Sequence, residues 1–201
     1  MNKPTNIYER IIEYVFIMFL FAVYSVLGLF LTTGAAFSAG FMSARERQKN
    51  ETDAPTHVIF HRQFIDSFKP ATFTWVIMVV LGLGIVQLYA WAFDPSSVPR
   101  LIVFYVALLY WALFHLYIYP LHSVFKHRGP LHVIKNTMLI IHLHPKVLFK
   151  MLVIASIMFL LIETIHPVLT PVALTLYFYL QARWLSPTFD FYIERVKARE
   201  N

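Results

Sequence analysis

The chain has 201 residues, of which 58% are hydrophobic and 14% are charged. This composition lies outside the usual balance of water-soluble domains and indicates a membrane protein, because a soluble fold could not bury so much apolar surface. The absence of cysteine excludes disulfides, thiolate metal sites and a cysteine nucleophile. The net charge of +6 would suit nucleic acid, but basic residues in so hydrophobic a chain are expected in loops, and no nucleic-acid partner is predicted.

Five apolar runs are long enough to cross a membrane, whose hydrocarbon core of about 30 Å takes about 20 helical residues. They cover approximately residues 14–31, 73–93, 101–121, 147–165 and 168–185. The runs are continuously apolar, which favours helices over the alternating strands of a barrel. Pro167 and Pro171 predict a tight hairpin between the last two helices. The sequence therefore predicts an all-α, polytopic membrane helix bundle that forms a single transmembrane domain over residues 1–201.

Basic residues predict the orientation of this bundle. All but three of the 17 Lys and Arg residues fall in or beside two long loops, at about 43–72 and 122–146, or in the C-terminal tail. The exceptions are Lys3, Arg10 and Arg100. By the positive-inside rule, we expect a multi-pass cell-membrane protein with its N-terminus outside and its C-terminus in the cytoplasm. The cytoplasmic loops would attract anionic lipid headgroups.

The two long loops share a pattern. Residues 58–69 and 131–144 carry apolar side chains at helical spacing on one face and charged side chains on the other, and Pro70 or Pro145 follows. Each pattern predicts an amphipathic interfacial helix, here called an elbow, that leads into a membrane helix. The polar faces of the elbows are candidate docking surfaces for a partner protein, through Arg62, Asp66, Lys69 and Lys135.

Small residues are concentrated between Thr32 and Ala44. Gly34 and Ser38, and likewise Gly40 and Ala44, are four positions apart, a spacing that lets helix backbones approach closely in lipid. We expect this segment to prolong the first helix as a packing surface. It either docks a partner helix or packs internally, and the sequence favours internal packing.

Polar side chains within the apolar runs are candidates for function, because ionisable groups are costly in a membrane. His115 lies in the third run and Gln181 at similar depth in the fifth, where it is the best candidate partner of the imidazole. His115 either forms a structural hydrogen bond, which we favour, or lines a proton path. Gln87, Glu163 and His166 fall at similar heights near the outer face and would form a small polar vestibule.

The nine histidines suggest a metal site only weakly. The pairs His57 with His61 and His142 with His144 have suitable spacing for one ion, but no third ligand or carboxylate-bearing motif accompanies them. We predict no metal, no cofactor and no catalytic residue.

Three stretches together resemble the YesL-like family of bacterial integral membrane proteins of unknown function. They are Leu31–Ala44, Phe64–Trp75 and Tyr119–Phe149. The shared features are a Thr-x-Gly-small turn, a Ser-Phe-Lys elbow and a Tyr-Pro-Leu helix exit with a Lys-Asn pair downstream. Pro70 and Val124 depart from the family pattern, which has Asn and Arg there. The resemblance implies an association with carbohydrate uptake systems, usually importers of the ABC type.

Three functions are consistent with the sequence. The first is a non-catalytic accessory or assembly partner of such an importer, bound to a membrane protein such as its permease. The second is an autonomous small transporter or channel, suggested by the repeated elbow layout and by His115. The third and least favoured is an intramembrane enzyme, because no paired carboxylates, catalytic triad or metal motif is present.

Overall fold

The structure is a computed structural model that describes residues 7–92, 98–125, 130–160, 163 and 170–200. These residues form seven long α-helices and contain no β-strand. In chain order they are α1 (Ile7–Leu27), α2 (Thr33–Lys49), α3 (Thr56–Ala92), α4 (Val98–Val124), α5 (Pro130–Leu143), α6 (Pro145–Leu160) and α7 (Thr170–Glu200). The all-α prediction is confirmed.

Three of the described helices, α1, α3 and α4, are long and apolar enough to cross a membrane. A fourth span results if His132–Leu143 and Pro145–Met158, which meet at 99°, are counted together. The chain is thus an all-α protein with three or four candidate spans among the described residues. Pro167, in the predicted turn between the fourth and fifth spans, lies outside those residues, and Pro171 lies in the first turn of α7. The count of five therefore stays a prediction.

The small-residue segment does not prolong the first helix, as we had expected. Helix α1 ends at Leu27, and the next turn places Leu29 and Phe30 at φ angles of 49° and 63°. These left-handed conformations end an α-helix and reverse the chain. The separate helix α2 then runs back antiparallel to α1, with the Phe21 and Phe37 rings 4.6 Å apart.

The first elbow is not a separate helix. Residues 56–92 form one continuous helix that passes through Pro70, so the predicted loop at 43–72 is irregular only at residues 50–55. Proline usually breaks a helix interior, but here α2 packs along the first half of α3 and α4 along the second. The hydroxyl of Thr74 donates to the Pro70 carbonyl at 2.9 Å. Packing on both sides of the proline therefore holds α3 together.

The second elbow does form a separate helix. Helix α5 ends at Leu143, His144 is not helical, and α6 begins at Pro145. The first position of a helix tolerates proline, because its missing N–H has no helical partner there. The change of direction at His144 confirms that the second elbow is a distinct element.

Helix α2 is the centre of the bundle. It contacts α1, α3, α4 and α7, and 12 of its 17 residues are buried. Large aromatic side chains fill the space around its small residues, among them Phe41, Tyr119, Phe178 and Phe189. The outward sides of α1, of the second half of α3 and of the first half of α4 instead expose many large apolar side chains. Such a surface suits contact with lipid.

Candidate functional site

His115 lies in a cluster of aromatic rings on α3 and α4. Its Nδ1 atom is 3.1 Å from the carbonyl oxygen of Trp111, one turn earlier, and therefore donates to it. The ring centroid of Trp111 is 4.3 Å from the imidazole, and that of Trp75 is 5.9 Å from it. Trp111 in turn donates from Nε1 to the Met78 carbonyl at 2.9 Å, which joins α4 to α3. These contacts make His115 part of the packing between the two helices.

Gln181 does not pair with His115, contrary to our expectation. Its buried side-chain amide donates to the Leu116 carbonyl at 2.8 Å and to the Tyr177 hydroxyl at 2.7 Å. The amide thus joins α7 to the backbone of α4 at the residue that follows His115. The positions of His115 and Gln181 along their predicted helices put the two side chains at the same level. The sequence did not show in which direction each side chain points around its helix.

The predicted outer vestibule is not assembled in the described part of the chain. Gln87 is exposed on α3, Glu163 is exposed, and His166 lies outside the described residues. The structure shows no contact between Gln87 and Glu163 over the residues that it describes. The vestibule stays a prediction.

The small residues of α2 are used for internal packing. A Cβ atom at Gly34 would lie 2.5 Å from the Ala71 carbonyl oxygen, and one at Gly40 would lie 2.6 Å from the Phe178 ring. The Ser38 hydroxyl lies 2.9 Å from the Tyr119 carbonyl oxygen. All three positions are buried. Internal packing, which the sequence favoured, is therefore what the structure shows, and a partner helix has no access to them.

The candidate docking side chains of the elbows are exposed, but one of them has an internal role. Arg62 is about half exposed and also forms two hydrogen bonds with the Glu46 carboxylate, at 3.0 and 3.1 Å. Asp66 and Lys69 lie exposed on α3, and Lys135 on α5. Asp66, Lys69 and Lys135 fit the docking hypothesis better than Arg62, because Arg62 already neutralises a buried carboxylate.

A set of ion pairs that sequence reasoning missed surrounds the C-terminal turn of α2. We call residues 45–49 the charged turn; their sequence is Arg-Glu-Arg-Gln-Lys. Each of its side chains reaches another helix, α1, α3 or α7. The pairs are Arg47 with Glu13 at 3.2 Å, Glu46 with Arg62 at 3.0 Å, Arg45 with Asp190 at 2.6 Å, Lys49 with Asp190 at 2.7 Å, and Gln48 with the Tyr179 carbonyl at 2.8 Å.

The sequence did not reveal that the charged turn joins several helices, because its basic residues resemble ordinary charged residues of a loop. Arg45 and Glu46 are nonetheless buried, and buried charges need partners. The only sequence signal is an acidic residue between two arginines directly after a small-residue helix segment. This local pattern does not reveal Glu13 or Asp190 as the partners.

Asp190 shows the electrostatic consequence of this arrangement. Burial alone would raise the pKa of its carboxyl group, but hydrogen bonds from Lys49 and Arg45 and the charges of both bases outweigh burial. The net effect lowers the pKa of Asp190 below its ordinary value of 3.8. Asp190 is therefore charged at neutral pH and holds α7 against α2.

Three histidines of the elbows and the loop after them bond to tyrosines of neighbouring helices. The Tyr24 hydroxyl lies 2.7 Å from His61 Nδ1, the Tyr110 hydroxyl 3.2 Å from His142 Nε2, and the Tyr192 hydroxyl 2.9 Å from His144 Nε2. No group of three or more metal-ligating side chains occurs among the described residues. The His142 and His144 side chains thus turn to different helices, α4 and α7.

Comparisons with known proteins give one match. Comparisons with curated proteins and with solved structures return no significant match. Two of the three stretches that resemble the YesL-like family, Leu31–Ala44 and Phe64–Trp75, lie within residues 13–87. This region comprises most of α1, all of α2 with its charged turn, and α3 as far as Gln87. It is matched by the family model described as a protein of unknown function, DUF624.

Proposed function

We propose that this chain is a non-catalytic integral membrane protein of the YesL-like type that serves as an accessory or assembly partner of a solute importer. The match over residues 13–87 supports the family assignment. The kind of importer, an ABC-type system for carbohydrate, comes from the family resemblance and is part of the proposal.

An exposed surface on the first half of α3 supports the proposal that the chain binds a partner protein. We define the elbow face as Ile65, Asp66, Phe68 and Lys69. The side chains of Ile65 and Phe68 are 57% and 41% exposed, and those of the two charged residues are exposed beside them. Exposed apolar side chains with a polar rim are found at sites that bind a protein or a membrane. This combination on one helical face carries the proposal.

The use of the polar side chains supports a non-catalytic role. Gln181 and the charged turn bond to other helices, and His115 bonds to the Trp111 carbonyl of its own helix and packs against Trp75 of α3. A catalytic group instead needs access to a substrate. The same contacts count against the transporter hypothesis, because the Nδ1 atom of His115 is bound to its own helix and aromatic rings surround it.

A charge reversal on the elbow face tests the proposal. Lys69→Glu should reduce co-purification of partner proteins in mild detergent several-fold while membrane insertion stays unchanged, because Lys69 is exposed and outside the apolar run. Lys146→Glu is the matched control, since Lys146 is also an exposed lysine and lies at the start of α6. Mass spectrometry of the eluates gives the measurement. Equal amounts of every co-purifying protein from wild type and Lys69→Glu would remove the elbow face as the contact.

A further inference from the structure

The charged turn of α2 connects two parts of the chain that the five-span prediction places on opposite sides of the membrane. Glu13 precedes the first predicted span, and Asp190 follows the last one. Glu13 pairs with Arg47, whereas Asp190 pairs with Arg45 and Lys49. These three basic residues project from little more than one turn of a single helix.

The distances do not allow a membrane between the two carboxylates. Residues 45 and 49 are separated by a rise of about 6 Å along α2, and the ion pairs themselves span 2.6–3.2 Å. The hydrocarbon core of a bilayer is about 30 Å thick. Charged side chains are also costly inside it, and this cluster further contains Glu46, Arg62 and Glu51. The whole cluster therefore lies on one face.

We infer that the start of α1 and the end of α7 lie on the same, cytoplasmic, face of the membrane. The chain enters with α1, and α2 brings it back to the charged turn before α3 begins. The chain then crosses the membrane an even number of times. This topology replaces the outside N-terminus and the odd span count expected from the sequence.

The distribution of basic residues fits the revised topology better than the original one. With the start of α1 on the cytoplasmic face, Lys3 and Arg10 join the basic residues of the loops and the tail. Arg100, at the start of α4, is then the one basic residue on the opposite side by this assignment of the sequence. The positive-inside rule is followed more closely than with three exceptions.

The absence of cysteine in the chain allows a direct test. Single substitutions Tyr8→Cys, Ala198→Cys and Ser96→Cys would each be labelled with a membrane-impermeant maleimide in intact spheroplasts and after permeabilisation. Tyr8 and Ala198 are exposed. We expect Ser96→Cys to react in intact spheroplasts, and Tyr8→Cys and Ala198→Cys to react at least ten-fold more after permeabilisation than before.

Labelling of Tyr8→Cys in intact spheroplasts, with Ala198→Cys protected, would overturn the inference. Labelling of both in intact spheroplasts would overturn the cytoplasmic assignment. A second measurement is independent of labelling access: a short bis-maleimide cross-linker in membranes should join Glu13→Cys to Arg47→Cys, whose native side chains are paired. The same reagent should join Leu27→Cys, at the other end of α1, to Arg47→Cys far less. Equal cross-linking of the two pairs would remove the contact on which the inference depends.

Discussion

The two elbows share a pattern of apolar and charged positions but have different structures. In the first, α3 continues through Pro70 as one helix; in the second, α5 and α6 meet at 99° beside Pro145. Helix α2 contacts α3 on both sides of Pro70: Glu46 pairs with Arg62 of the first elbow, and Gly34 lies against the Ala71 backbone just after the proline. The second elbow, α5, contacts α4, α3 and α6 and, over the described residues, does not contact α2 closely. The comparison indicates that a proline alone does not separate an elbow from its membrane helix when one neighbouring helix packs on both sides of the proline.

The largest expected effect comes from separating α2 from α3 just after Pro70. Gly34→Leu should prevent accumulation of folded protein, because even a Cβ atom there would lie 2.5 Å from the Ala71 carbonyl oxygen and 2.7 Å from the Trp75 Cβ atom. Overpacking of this kind costs about 1–3 kcal/mol or more. Fluorescence-detected size exclusion in detergent gives the measurement.

The matched control for Gly34 is Gly84, on the exposed second half of α3. A Cβ atom at Gly84 meets nothing within 4 Å, so Gly84→Leu should leave the elution profile unchanged. Equal loss of folded protein from both variants would show that leucine is harmful in these helices for a reason other than contact with α2.

A smaller loss of stability is expected when the ion pair between Arg62 of the first elbow and Glu46 of α2 is broken. Arg62→Met removes the main partner of the buried Glu46 carboxylate, while Gln63 still lies 3.3 Å from it. Loss of a partner from a fully buried pair costs about 3–5 kcal/mol; since Arg62 is about half exposed, solvent screening reduces the expected loss to about 1–2 kcal/mol.

The second elbow supplies the control for that ion pair. Lys135 is exposed on α5, so Lys135→Met should change the midpoint of thermal unfolding by less than a third of the change caused by Arg62→Met. If Arg62→Met and Lys135→Met changed the unfolding midpoint equally, the contact between Arg62 and Glu46 would contribute no more stability than an exposed lysine on the second elbow.

Much of the fold could be predicted from the sequence, and the limits have physical causes. Continuous apolar runs identified α1, α3 and α4, since length and hydropathy alone decide whether a helix can cross lipid. The separation of α2 from α1 depends on the left-handed residues Leu29 and Phe30, which have no glycine signal at their own positions. The charged turn depends on contacts more than a hundred residues apart, such as Arg45 with Asp190. Local patterns carry no information about such partners.

The smallest expected effect is a loss of stability at acid pH, caused by weakening of the ion pairs between Asp190 of α7 and the basic residues of α2. The pKa of Asp190 is lower in the folded protein than its ordinary value of 3.8, so the folded state binds the proton less tightly than the unfolded state. The stability contributed by Asp190 is therefore fully present above about pH 4 and is lost as the pH falls through the lowered pKa.

Asp190→Asn isolates this contribution. Its thermal unfolding midpoint should fall less between pH 5 and pH 3 than that of the wild type, because the substituted side chain does not titrate. The link from the second elbow to α7, between His144 and Tyr192, contains no carboxylate, so Tyr192→Phe should keep the wild-type acid dependence. An identical acid dependence in the wild type and Asp190→Asn would exclude Asp190 as its source.

The distance across Pro70 tests the central comparison most directly. Val58 and Val80 are exposed on α3 on either side of the proline, and spin labels at Val58→Cys and Val80→Cys in the otherwise cysteine-free chain report their separation in a bilayer. A continuous helix, with its rise of 1.5 Å per residue, predicts about 33 Å between the two backbones. A separation of about 23 Å, as expected from the same helical rise if the chain turned at Pro70 by about a right angle, would contradict the account that α2 holds the first elbow in line with its membrane helix.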